Sequence, residues 1–289
     1  MTNVKQQSEF SKEAIAEAVK EFCSTGAISQ RKLARKTGIS DATINKIVNH
    51  KWEGIKEETW RKLWNAVSVG NTVSIVNTRD YNAIMQACKI ARSRKFMIGL
   101  LGDTGMGKTT SLKALSRQRN TYYVSYEKTM RAKQFFTAIL KEMGIDFDGS
   151  IHDMVNKIAD ELNVQANPLL IIDESGKLTQ NVLLYMHVLR DKTDINCGIV
   201  LAGMPYFKTN LQKLSNKQKE GMSEFFRRVM LWHELTGLNR AEIKYICQEQ
   251  YKITDEEDIR AFYGTKKYGD LIKAIILFQE DNLISPIND

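Results

Sequence analysis

Residues 102–109 read Gly-Asp-Thr-Gly-Met-Gly-Lys-Thr, and the six before them, Phe96-Met97-Ile98-Gly99-Leu100-Leu101, are an apolar run. A strand, then a glycine-rich loop of the form G-x-x-x-x-G-K-T, then a helix opening near Thr109 is the context in which this pattern acts as a phosphate cradle. A polyphosphate has to be neutralised at close range. Gly102, Gly105 and Gly107 let backbone N–H groups converge on it, at the positive end of the following helix. Lys108 is expected to reach the β- and γ-phosphates and the Thr109 hydroxyl to ligate Mg²⁺, with Asp103, Thr104, Met106 and Thr110 completing the loop. The pattern predicts a nucleoside triphosphate site.

At 289 residues there is room for one nucleotide-binding domain and small appendages. No apolar stretch is long enough to span a membrane and no signal-peptide pattern opens the chain, so the expectation is a cytoplasmic protein with no membrane partner. The four cysteines, Cys23, Cys88, Cys197 and Cys247, are scattered without a CxxC pair and read as reduced thiols of the core. The four histidines are as dispersed, and none is assigned to a metal. A net charge of +8 with pI ≈ 9.1 is compatible with a polyanionic partner without requiring one.

The patterning divides the chain into three parts: 1–70, closing in the turn-like Ser68-Val69-Gly70-Asn71-Thr72; 71–236; and 237–289. In the middle part, strands are expected at 96–101, 121–125, 168–172, 197–202 and 229–235. Helical patterns lie between them, at about 130–143, 151–163 and 179–192. That alternation predicts an α/β fold, a parallel sheet with helices on both faces. Beyond Thr236-Gly237 only helical stretches remain, at about 239–250, 255–263 and 269–280, an expected helical lid.

Residues 168–174 read Pro-Leu-Leu-Ile-Ile-Asp-Glu, a buried strand with an acidic pair at its carboxyl end, where open α/β sheets bind ligands. Asp173 is expected to hold Mg²⁺ through water, and Glu174 to orient and polarise the attacking water. A glutamate directly after that aspartate, together with the C-terminal lid, resembles the AAA+ ATPases. Without an Asn-Lys-x-Asp guanine box, ATP is the expected nucleotide.

The AAA+ resemblance implies an arginine finger reaching the next subunit. In Glu224-Phe-Phe-Arg227-Arg228-Val229, Arg228 fits that place better than Arg227, with a salt bridge as the alternative reading. Two departures stand out. Ala202-Gly203-Met204-Pro205 follows the fourth strand where the family carries a polar sensor. In Gly269-Asp270-Leu271-Ile272-Lys273, Ile272 occupies a common arginine position, with Lys273 a possible substitute. Both fit a slow ATPase used as a switch.

Residues 29–48 carry a helix-turn-helix pattern that resembles the phage repressor type. Leu33 and Ala34 pack the first helix, Gly38 permits the turn, and Ile39, Ile44 and Ile47 face the core. The second helix opens at Ser40 and exposes Asp41, Ala42, Thr43, Asn45 and Lys46. Ser40, Thr43, Asn45 and Lys46 are the candidate DNA contacts. Residues 29–64 hold nine Lys or Arg against four acids, a local excess suited to phosphate contacts. Helix-turn-helix folds also serve as protein-interaction modules. Trp52, Trp60 and Trp64 read as core, and 10–23 as a packing helix.

In domain order, this combination resembles the Mu B-like family of transposition ATPases. The resemblance implies an ATP-dependent protein that forms a homo-oligomer, a helical filament or ring, on double-stranded DNA with little sequence specificity. It further implies delivery of that DNA to a transposase and stimulation of transposition in the host cytoplasm. It makes Lys108, Thr109, Asp173 and Glu174 the ATP residues. It makes Lys128, Arg131 and Lys133, after the second strand, candidates for facing DNA, with a solvated helix face as the alternative. Two rival readings stay open: an ATP-regulated helix-turn-helix transcription factor or replication initiator, and a signalling NTPase with a protein-binding N-terminal domain.

Overall fold

The computed structural model describes residues 12–24, 30–68 and 76–284. They divide into two compact units, one from the chain before Val76 with Ser116–Arg119, the other from Val76–Leu115 and the chain from Asn120 onward. The turn expected at 68–72 lies, from Val69 on, outside the described residues, as do Phe10, Ser11 and the side chain of Trp64.

In the first unit, helices α1 (Lys12–Ser24), α2 (Gln30–Thr37), α3 (Asp41–Val48) and α4 (Glu57–Ser68) enclose a small core of Ile15, Val19, Leu33, Ile44, Ile47, Trp60 and Leu63. Gly38, at φ +69, turns the chain between α2 and α3, a conformation that costs glycine little. Ser40 caps α3 by accepting from the Thr43 N–H at 3.2 Å. Trp52 packs edge-on against Trp60 and donates its indole N–H to the Ile47 carbonyl at 3.1 Å.

The second unit begins with α5 (Arg79–Arg94), a helix that leads into β1 (Met97–Leu101). There follow α6 (Lys108–Leu115), β2 (Thr121–Ser125), α7 (Ala132–Glu142), α8 (Ile151–Asn163) and β3 (Leu169–Asp173). Next come α9 (Gln180–Thr193), β4 (Gly198–Gly203), α10 (Tyr206–Asn216), α11 (Met222–Arg228) and β5 (Val229–Glu234). The chain closes with α12 (Arg240–Tyr245), running on as a π-turn over Ile246–Gln250, then α13 (Glu256–Ala261) and α14 (Tyr268–Ile284).

All five strands are parallel, in the order β2-β3-β4-β1-β5. Successive residues of the buried strands serve opposite faces. Leu170 and Ile172 of β3 join a core with α7 through α11, while Leu169 and Ile171 join one with α5 and α6. The fold is α/β, with helices on both faces of the sheet. A Cβ on Gly99 would lie 2.2 Å from the Trp232 ring, so the absence of a side chain there lets that indole cover β1. β5 is an edge strand, and Met230 and Leu231 stand exposed on it. The C-terminal helices have their own apolar cluster, centred on Ile243, Ile246, Ile259, Leu271 and Ile275.

Parallel register decides where the functional groups fall. Asp173 lies opposite Ser125, and Leu101 lies between Gly203 and Glu234. The loop after β1 and the acidic pair at the end of β3 therefore share the carboxyl end of the sheet.

Candidate nucleotide site

Gly105 and Gly107 have φ of +87 and +82, backbone states that L side chains rarely adopt. They bend the chain so that α6 begins at Lys108. Lys108 Nζ donates to the carbonyls of Gly102 at 2.6 Å and Asp103 at 2.9 Å. Burial draws its ammonium below the usual lysine range, while Asp173, Glu174 and Asp103 oppose the shift. A half-desolvated cation at a helix N-terminus is a strong attractor for phosphate.

Asp173 is buried and fully engaged. One carboxylate oxygen, Oδ2, accepts from the Thr109 hydroxyl at 2.7 Å and from the Tyr123 hydroxyl at 2.8 Å. The other, Oδ1, accepts from the Glu174 N–H at 2.8 Å. Burial first, and then the Asp173 charge, push the Tyr123 phenol well above its ordinary range, so it stays a donor. Thr109 Oγ1 and Asp173 Oδ2 are hard oxygens side by side, the donor chemistry Mg²⁺ takes when phosphates and water supply the rest. Among the described residues no cluster of three or more His, Cys, Asp and Glu offers a complete protein cage.

Glu174 sits at φ +58 and ψ +30, a left-handed state uncommon for a side chain of this length. That turn ends β3 abruptly and leads into the short 3-10 helix Ser175–Lys177, fastened by the buried Ser175 hydroxyl donating to the Ile172 carbonyl at 2.9 Å. The Glu174 carboxylate is half-exposed and pairs with Lys177 at 3.1 Å.

The C-terminal helices touch the loop directly. The Gly269 N–H donates to the Gly105 carbonyl at 2.8 Å, and a Cβ on Gly269 would come within 3.3 Å of Gly105 Cα. Lys273 is exposed on α14, and Ala202 and Gly203 are buried. At the junction with β5, the buried Asp80 of α5 accepts from the N–H groups of Thr236 at 3.0 Å and Gly237 at 2.9 Å.

The remaining expected residues lie away from this cluster. Arg228 closes α11 and pairs with Asp191 of α9 at 2.7 Å, while its neighbour Arg227 is exposed with no ion pair among the described residues. Lys128 and Arg131 are exposed in the segment between β2 and α7, and Lys133 pairs with Asp148 at 2.8 Å. On α3, Ser40 and Thr43 bond each other at 2.8 Å, Asn45 accepts from the Asn49 side-chain amide at 2.8 Å, and Lys46 is exposed.

Sequence reasoning passed over three groups here: Tyr123, Asp80 and Gly269. Each acts through a partner remote in sequence, and only the sheet order and the path of the last helices bring them in. For Tyr123 a signal existed, a polar-tipped side chain on the strand just before the acidic one, but pairing β2 with β3 was needed to read it.

An AAA domain family model matches residues 91–211. The Mu-like prophage FluMu DNA transposition protein B of Haemophilus influenzae is 20% identical over 87% of this chain and 90% of its own length. The ATP-dependent target DNA activator B of Escherichia phage Mu is 22% identical over 79% of this chain and 75% of its own. Among solved structures, the Aeropyrum pernix ORC2 protein matches with a TM-score of 0.48 at 15% identity, covering 64% of this chain and 55% of that one. No helix among the described residues is long and apolar enough to cross a membrane. The chain binds ATP and is an ATPase, with an AAA domain over residues 91–211, and along most of its length it resembles the Mu-type transposition B proteins.

Proposed function

We propose that this ATPase assembles on double-stranded DNA when it holds ATP, presents that DNA to a transposase and stimulates transposition. The observation that carries the reading is the similarity to a target DNA activator and a transposition protein along most of the chain, not over the nucleotide motifs alone. Lys108 binds the β- and γ-phosphates, and Thr109 with Asp173 would hold Mg²⁺, whose charge would offset that of the phosphoryl group. Glu174 orients the attacking water, giving up its pairing with Lys177 to do so. Of the two arginines ending α11, Arg228 must leave Asp191 to reach a neighbouring protomer, whereas Arg227 has no ion pair among the described residues. Lys128, Arg131 and Lys133 contact DNA phosphates, and α3 of the helix-turn-helix adds Lys46 and Asn45. The division into 1–70, 71–236 and 237–289 is the domain plan of this reading.

Fluorescence anisotropy on a random-sequence duplex tests it, at fixed salt, with ATP, with a non-hydrolysable analogue and without nucleotide. Tight, length-dependent cooperative binding only with nucleotide is expected. Equal affinity in all three conditions overturns the coupling, and affinity confined to one sequence favours an operator-reading factor.

A further inference from the structure

The Asp173 carboxylate receives a hydroxyl that the ATPase motifs do not include. Tyr123 stands on β2 opposite Ile171 of β3, two residues before Asp173 and on the same face of the sheet as α6. Its side chain reaches diagonally along that face, so that its hydroxyl meets Asp173 Oδ2 at 2.8 Å. The Thr109 hydroxyl reaches the same oxygen at 2.7 Å from the first turn of α6. Two elements, β2 and α6, thus converge on one oxygen atom carried by a third, β3.

A carboxylate held on one side only can rotate about its last bond, and its acceptor lone pairs move with it. Here the Glu174 N–H fixes Oδ1 from the chain's own direction. Tyr123 is the group that fixes Oδ2 from the neighbouring strand. With Oδ2 so placed, Thr109 donates its proton to Asp173, which leaves its own oxygen lone pairs free to accept or ligate. The tyrosine ring is itself held: it packs against the core beneath α6, with the Lys113 ammonium over its face at 5.8 Å.

We propose that Tyr123 is a positioning residue for the metal site, holding Asp173 so that Asp173 and Thr109 can together bind the divalent cation of a metal–nucleotide complex. This rests on the reading of Thr109 and Asp173 as the Mg²⁺ residues. Groups that orient metal ligands contribute about tenfold or more to metal affinity. The hydroxyl's partners are Asp173, Thr109 and Ser125 rather than Lys108 or the loop glycines, so its loss should fall on the metal's contribution.

The test is the affinity of the full chain for a fluorescent ATP analogue, measured in excess Mg²⁺ and again in EDTA. The ratio of the two isolates the metal's contribution. Tyr123→Phe keeps the ring, its packing and its contact with Lys113, and removes only the hydroxyl. It is expected to lower the ratio about tenfold, with affinity in EDTA unchanged. Tyr122→Phe is the control, since that hydroxyl bonds Gln165 on the other face, and its ratio should match the unmodified chain. A normal ratio for Tyr123→Phe beside a lowered one for Asp173→Asn overturns the proposal and leaves the metal reading standing. A normal ratio for Asp173→Asn overturns the metal reading, and the proposal with it. Equal loss in Mg²⁺ and EDTA for Tyr123→Phe also overturns it, because the hydroxyl would then shape the loop as a whole.

Discussion

Lys108 spends its hydrogen bonds on two neutral carbonyls of its own loop, and burial makes its charge costly there. Phosphate oxygens replace those bonds with charge-assisted ones, roughly twice as strong. Lys108→Ala should therefore abolish the thermal stabilisation by ATP. At a hundredfold excess over Kd that stabilisation is about 2.7 kcal/mol, or roughly 5–10 °C for a unit of this size, and differential scanning fluorimetry reads it directly. Glu174 calls for the opposite outcome. Its carboxylate touches neither Lys108 nor Thr109, so Glu174→Gln should leave the ATP-induced shift intact while hydrolysis falls about a hundredfold or more, as phosphate release would report. A Glu174→Gln chain that loses the thermal shift would mean the side chain shapes the loop rather than the water.

At the scale of elements, the junction between β5 and the last helices is fastened from outside both. The buried Asp80, near the start of α5, accepts two backbone N–H groups at Thr236 and Gly237. Asp80→Ala leaves both donors without a partner, at a cost of about 3 kcal/mol, and urea unfolding should show it, with Asp80→Asn losing less. Gly269→Val should wedge α14 off the phosphate loop at about 1–3 kcal/mol of overpacking, seen as faster amide exchange in the first turn of α14. Neither contact was legible in the sequence, since Asp80 and Gly237 are separated by most of the sheet. What local pattern controls was legible. The strand at 121–125 and the helix at 151–163 fall where the sequence pattern places them, and the other strands shift by about a residue, the usual scatter of element ends. The phosphate loop and the acidic pair were legible for the same reason, their chemistry being carried by adjacent residues. Helices α5, α10 and α11 were not among the expected elements, and sheet order, which sets Tyr123 against Asp173, depends on which strands pair and has no local signature.

The whole molecule carries a net charge of +8, and its hold on a duplex is set by how many phosphates each copy neutralises rather than by that total. On the proposed reading, binding is collective, and each added protomer would bring further phosphate contacts at high effective concentration. Affinity then falls steeply with salt, the slope of log K against log salt being about −0.9 per phosphate neutralised. If Lys128 and Arg131 are such contacts, Lys128→Ala with Arg131→Ala should flatten the slope by roughly 2 for each protomer in the cooperative unit. Both are exposed, so folding and ATP hydrolysis without DNA should be untouched. Lys133 is the informative partner. It already pairs with Asp148, so Lys133→Ala should flatten the slope less than either neighbour, because binding DNA there first breaks an existing ion pair. Titrations from low to high salt with a non-hydrolysable ATP analogue separate the cases. Three equal decrements would place all three side chains on phosphates. An unchanged slope would make this segment a solvated face and leave the duplex to the α2–α3 pair, where Lys46→Ala is the next substitution to weigh.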